Sequence, residues 1–256
     1  MKRGDAARAL RAGLRFKVER GVAWLRLQRL HSGNRIAYDL AQAICDAVDD
    51  IEHDEDVRCV VIAAAGSSFC LGVEEPGPWE TAADWIAALA GLTRPVVASV
   101  QGDAVAEGLE LLLACDLRIA ATTARFAMPH LVEGRLPTHG GTQRLPRVIG
   151  RTRALDLLFT GRAINAIAAE KMGLVSRVVP AARLTATVRS LAKELATKGP
   201  VALRFAKEAV LKGADMTLQQ GIRLEEDLYA LLQTTADRRE GVLAFTKKRR
   251  ARFTGR

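Results

Sequence analysis

Two unbroken apolar runs, CVVIAA at 59–64 and PVVASV at 95–100, most constrain what this chain can fold into. A strand with one wet face alternates apolar and polar residues. These runs do not alternate, so each reads as a strand covered on both faces. Such strands belong to parallel sheets flanked by helices, and the segments between them are long enough for crossover connections. VAWLRL at 22–27 adds an earlier strand. Asp39 reads as a helix N-cap. After it Leu40, Ala43, Ile44, Ala47, Val48 and Ile51 recur at helical spacing, with Asp46, Asp49, Asp50 and Glu52 opposite. An acidic, proline-containing loop at 74–78 and a short helix around 82–92 lead into the second run. The predicted class is α/β.

The next stretch, 101–141, holds a glycine turn, a short apolar helix carrying Glu107 and Glu110, and a strand at 117–120. It closes with Pro129-His130, a second turn, and Gly140-Gly141 ahead of another helix. Strand, polar turn and helix start recur here. Helix starts offer unpaired N–H groups and a positive dipole end to an anionic or polarised ligand. Beyond it the spacing predicts helices over 142–149, 152–159 and 165–172, the last stopped by Gly173, then a final strand over 174–179. From Ala181 only helices are expected, with a break at Gly199-Pro200 and one long amphipathic segment over 218–247.

Composition narrows the function classes. No apolar run approaches the roughly 20 residues that span a bilayer. The basic start MKRGDAARALRAG lacks the apolar centre of a secretory signal, so a cytoplasmic location is expected. The four cysteines form no C-x-x-C pair and sit in apolar surroundings, which suits free thiols. The four histidines show no metal-binding helix spacing, and no metal is expected. The net charge of +9 is concentrated at the ends, above all at Lys247-Lys248-Arg249-Arg250-Ala251-Arg252. Such a run suits a solvated face or the phosphates of a ligand. No aromatics are interleaved for base stacking, so nucleic acid is not the expected partner.

Several pieces carry a family resemblance. They are Ser68-Phe69-Cys70-Leu71-Gly72, Arg94-Pro95-Val96-Val97-Ala98, and Leu113-Ala114-Cys115-Asp116-Leu117-Arg118-Ile119-Ala120. Gly140-Gly141-Thr142-Gln143-Arg144-Leu145-Pro146-Arg147, Gly173-Leu174-Val175 and Asp237-Arg238-Arg239-Glu240-Gly241 follow in order. In this order and spacing the chain resembles the enoyl-CoA hydratase/isomerase (crotonase) family over almost its whole length. The resemblance implies a spiral of ββα repeats with a helical C-terminal region that builds trimers, often paired into hexamers. The expected division is a basic extension over 1–13, a spiral core with the acyl-CoA site over 14–195, and a helical region over 196–256. The implied ligand is a coenzyme A thioester, which is substrate; no separate cofactor is implied.

The resemblance also assigns roles. The thioester oxygen would lie in an oxyanion hole made by the backbone N–H groups of Val73 and Glu107, and Glu110 matches the glutamate that activates water in hydratases. Coenzyme A contacts fall on Arg35, Ala37, Leu71 and Lys248. Two positions depart from the pattern. A Pro-Glu pair of the family is Pro129-His130 here, so an imidazole stands where the second acid/base carboxylate would be. A three-glycine run is Ala106-Glu107-Gly108. The Glu107 side chain either points away, toward solvent or an arginine, or forms a relocated carboxylate pair with Glu110 three residues on. The leading expectation is hydration of a 2-enoyl-CoA. The alternatives are another reaction of the family (decarboxylation, hydrolysis or hydration of a cyclic acyl-CoA) using His130 or Glu107, or binding of CoA esters or RNA without catalysis.

Overall fold

The computed structural model describes residues 9–74 and 84–256. The predicted loop residues 75–78, the first positions of the predicted helix at 82–83, and residues 1–8 of the basic extension lie outside them. The described residues begin in helical conformation at 9–11 and lead into an antiparallel hairpin of β1 (Leu14–Glu19) and β2 (Val22–Leu27). Helix α1 (Tyr38–His53) then crosses to β3 (Cys59–Ala64), which pairs in parallel with β2. Three coils follow, each a long strand, a short strand and a helix. They are β3, β4 (Ser68–Cys70) and α2 (Trp85–Gly91); β5 (Val96–Val100), β6 (Asp103–Val105) and α3 (Glu107–Leu113); and β7 (Leu117–Ala121), β8 (Arg125–Ala127) and α4 (Gly141–Ile149). A single 3-10 turn, Pro129–Leu131, stands between β8 and α4.

The long strands β2, β3, β5 and β7 lie side by side in one sheet, and β4, β6 and β8 in a second. Register is parallel throughout the coils, with Val60 beside Val96 and Val97 beside Leu117. This is the expected spiral of ββα units. The non-alternating runs have a direct cause. Val60, Ile62, Val96, Ala98 and Val100 face the main core, while Cys59, Val61 and Val97 face a second core. That second core is closed by Leu184, Val188 and Ala192 of a later helix. Alternate residues thus enter two dry layers. Ala9 and Ala12 are buried in the main core as well, so the extension is anchored before β1 begins.

After the coils come α5 (Arg151–Thr160), β9 (Ile164–Asn165), α6 (Ala166–Lys171), β10 (Arg177–Val179) and α7 (Ala181–Ala196), the helix over the second core. The tail is α8 (Pro200–Gly213), α9 (Leu218–Gln233) and α10 (Ala236–Thr246). Several expectations need correction. Asp39 does not cap α1: Ala37 is the N-cap, in extended conformation, and Asp39 sits in the first turn, where Arg29 binds it. The strand predicted over 174–179 begins only at Arg177, because the N–H groups of Leu174 and Val175 turn back onto Ala169 O to close α6. The segment predicted as one helix over 218–247 is broken by Thr234-Thr235, and the Thr235 side chain caps α10 by accepting from Arg238 N. Strand β1 is an element not predicted above, although Leu14-Arg15-Phe16-Lys17-Val18-Glu19 alternate apolar and polar residues as a one-sided strand does; Arg15, Lys17 and Glu19 are exposed at the sheet edge.

Candidate active site

The short strands β4, β6 and β8 run parallel, so their carboxyl ends share one edge, where parallel α/β sheets receive ligands. Each end delivers one expected site group: Val73 after β4, Glu107 after β6, and His130 after β8. The first two meet because α3 starts directly against the end of β4. A Cβ on Gly108 would lie 2.1 Å from Cys70 O, so only glycine allows the approach. Ala106 makes the turn with φ 54° and ψ −124°, in the region that favours glycine. Such a conformation stores strain on the order of 1–3 kcal/mol in a residue with a side chain.

That turn aims the Glu107 side chain inward. It is 1% exposed, so it does not face solvent, although it does meet an arginine. Oε2 accepts from Val73 N at 3.2 Å, and the residue's own backbone N–H lies close enough to favour the charged carboxylate. One of the two N–H groups assigned to a thioester oxygen, that of Val73, is therefore bonded to an anionic oxygen, and that oxygen belongs to Glu107. Oε1 accepts from Arg135 Nη1 at 3.0 Å and lies 3.3 Å from His130 Nε2. Burial pushes the Glu107 carboxyl up, but the His130 imidazole, the backbone N–H and Arg135 together outweigh it and hold the group at about 2.

Glu110 is fully buried. Its Oε1 accepts from Gly141 N at 2.7 Å and His139 N at 2.9 Å. The carboxylate thus caps α4, a neighbouring helix, rather than its own. Its Oε2 has no hydrogen-bond partner and stands 3.7 Å from His130 Nε2. Burial raises the Glu110 pKa above the ordinary carboxylate value against the opposing pull of Gly141 N–H and the two histidines. His130 is fully buried, and neither ring nitrogen has a hydrogen-bond partner. Its approach to Glu107 is close enough for an ion pair but lacks hydrogen-bond alignment. The expected carboxylate pair exists with its members driven apart: one held ionised, the other biased toward its protonated form. Donor atoms of Glu107, Glu110 and His130 all lie within 4.8 Å of one another, a grouping across distant segments that helix spacing could not reveal. The Glu107 oxygens are already engaged by Arg135 and the Val73 N–H.

The coenzyme A positions divide. Residues 33–37 run beside 71–74 through Leu71 N to Gly33 O, Ile36 N to Gly72 O and Glu74 N to Ile36 O. Arg35, Ala37 and Leu71 are brought together there, with Arg35 Nη1 donating to Val73 O at 3.3 Å. Lys248 is exposed after α10, where its N–H donates to Phe245 O, and that bond ties it to the tail rather than to the other three. Sequence reasoning missed Arg135, which bridges Glu107 and Glu133 from a polar loop that carries no pattern. It also missed the His139 N–H. A cavity of about 1000 Å³ lies behind α3 and α4 against α8, lined by Leu113, Arg144, Leu203 and Lys207 among others; Glu107, Glu110 and His130 do not line it.

Known proteins resemble this chain over nearly its whole length. The family model for enoyl-CoA hydratase/isomerase matches residues 17–256. Mitochondrial methylglutaconyl-CoA hydratase of Mus musculus is 36% identical over 252 residues, covering 92% of this chain and 80% of that protein. The crystal structure of an enoyl-CoA hydratase from Bacillus anthracis has a TM-score of 0.90 at 33% identity, covering 95% of this chain and 100% of that one. An enoyl-CoA hydratase structure from Mycobacterium smegmatis has a TM-score of 0.88 at 30% identity, covering 94% and 98%. The chain belongs to the enoyl-CoA hydratase/isomerase family.

Proposed function

We propose that this protein is an acyl-CoA hydratase that adds water across the double bond of a 2-enoyl-CoA. The supporting observation is that the Val73 N–H already holds an anionic oxygen, beside a buried carboxylate, Glu110, with a free oxygen. In the reaction the thioester oxygen takes that acceptor position. Fixed donors there stabilise the enolate-like transition state, typically by several kcal/mol. Glu110 Oε2 accepts a proton from water as its oxygen bonds to Cβ. The α4 start holds the opposite oxygen, so the carboxylate keeps its aim. Cα must receive a proton, and His130 Nε2, 3.7 Å from Glu110 Oε2, is placed to exchange it. Atoms balance with water alone, and these steps draw on no cofactor.

Arg35, Ala37 and Leu71 serve the nucleotide end of the thioester in this reading. Lys248 serves it only from a neighbouring subunit. Trimers, singly or paired, suit the apolar side chains left exposed on the tail helices, including Val210, Leu218, Ile222, Tyr229 and Phe245. The 14–195 core and 196–256 tail are the units of that assembly. No helix among the described residues is long and apolar enough to cross a membrane, and we place the enzyme in the cytoplasm.

Incubation with crotonyl-CoA and longer 2-enoyl-CoAs tests the reaction. The absorbance of the conjugated thioester should fall; no loss at any chain length rules hydration out. One observation favours a second reading: a carboxylate sits on the Val73 N–H. It suits another reaction of the family that runs through His130, or CoA-ester binding without turnover. Turnover that survives Glu110→Gln but not His130→Ala would select the His130-dependent reaction.

A further inference from the structure

We propose that Glu107 is a specificity-determining gate of the oxyanion hole, exchanging its own carboxylate for the substrate's thioester oxygen. The inference rests on the acyl-CoA reading above. In the free protein one hole donor, the Val73 N–H, is spent on the Glu107 carboxylate, and the other is the N–H of Glu107 itself. A Cβ built on Gly72 would meet Glu107 Oε2 at 2.7 Å, so the carboxylate already lies against the chain at the acceptor position. A negative enolate oxygen could not develop next to it in a dry pocket. The carboxylate must leave for the hole to work.

The structure also supplies its exit. Oε1 is bonded to Arg135, whose side chain is 35% exposed and so reaches toward solvent. Rotating the carboxylate off Val73 and onto Arg135 keeps the charge paired throughout. Arg135 is a positioning residue in this scheme, because it holds the gate and touches no reacting atom. The ligand selected is a thioester anchored firmly elsewhere, at its nucleotide end, since the carbonyl alone competes against an ionised group.

Calorimetric titration of the full-length protein with butyryl-CoA and with free coenzyme A tests the gate. Free coenzyme A carries no carbonyl for the hole and serves as the internal control. Glu107→Gly should bind butyryl-CoA at least about tenfold tighter than the native chain, the worth of one hydrogen bond to a charged group. Glu107→Ala should do the same, and Glu107→Gln, which fills the hole without charge, should fall between. Coenzyme A affinity should stay constant in all. Unchanged or weaker butyryl-CoA affinity in both Glu107→Gly and Glu107→Ala, with coenzyme A binding retained, overturns the gate. Failure of the native chain and every variant to bind either ligand overturns the acyl-CoA reading itself, and the gate with it.

Discussion

Glu110 has two separable jobs, and two substitutions divide them. Its Oε1 ties the His139 and Gly141 N–H groups, while its Oε2 is free to take a proton. Glu110→Gln keeps a carbonyl oxygen for the two N–H groups and replaces the proton acceptor with a donor. Hydration should fall by about 10²–10⁴-fold in kcat, the usual worth of a general base. Stability should hardly change. Glu110→Ala removes both hydrogen bonds and leaves the buried Gly141 N–H unpaired. At about 1.5 kcal/mol for each bond to a charged group, the loss is about 3 kcal/mol. In a chain of this size that lowers Tm by roughly 6–12 °C. The assay pairs crotonyl-CoA absorbance kinetics with thermal unfolding of the same preparations. A Glu110→Gln enzyme within a factor of about ten of native kcat would refute the role of base. A Glu110→Gln protein as unstable as Glu110→Ala would refute the division of labour between the two oxygens.

A base works only when ionised, and burial raises the Glu110 pKa, so the acid limb of kcat/KM should have its midpoint above the ordinary value of 4.5; a midpoint at or below that value contradicts the assignment. Glu107 has the opposite sign: its folded pKa of about 2 lies below 4.5, so its contribution to stability is present above pH 4.5 and fades as pH falls toward 2, a dependence that acid titration of Glu107→Gln should lack. Lys207 joins α8 to the core through Asp116 Oδ2 at 2.8 Å and Arg94 O at 3.1 Å. Lys207→Met should cost about 2 kcal/mol in urea unfolding, less than a fully buried pair because both groups are partly exposed, and a loss under about 0.5 kcal/mol would show the tail is held otherwise. Arg118 is buried and donates to the carbonyls of Leu174, Leu112 and Cys115. Arg118→Met takes the donor from the Leu174 and Cys115 carbonyls, while Leu112 O keeps the Cys115 N–H, and should cost about 2 kcal/mol or more, read from the same titration.

The parts of the fold visible in the sequence are those where one local property decides the outcome. The runs at 59–64 and 95–100 announce covered strands because both of their faces are dry. Glu110 is found by its place in a short motif. What stayed hidden depends on pairs far apart in the chain. Glu110 and Gly141 are separated by 31 residues, so nothing local shows that the carboxylate caps the later helix. Arg135 looks like any loop arginine until β8 and α3 place it beside Glu107. The direction of the Glu107 side chain follows from the positive φ of Ala106, a conformation alanine does not announce. Strand β1 was there to be read, because Leu14 to Glu19 alternate apolar and polar residues; the tail break at Thr234-Thr235 was not, because threonine caps and helix interiors share residue types.

The three coils have a consequence for motion. One site wall comes from each coil end: Val73, then Glu107 with Glu110, then His130. A ligand lying across them acts as a cross-tie between segments that otherwise open separately. Amide exchange in β4, β6 and β8 should therefore slow together when the site is filled, although each strand has only three residues and frays easily alone. The edge strand β1 should keep its own exchange rate, because no part of the ligand bridges it. Occupancy would then be readable as a change in cooperativity, from three local openings to one.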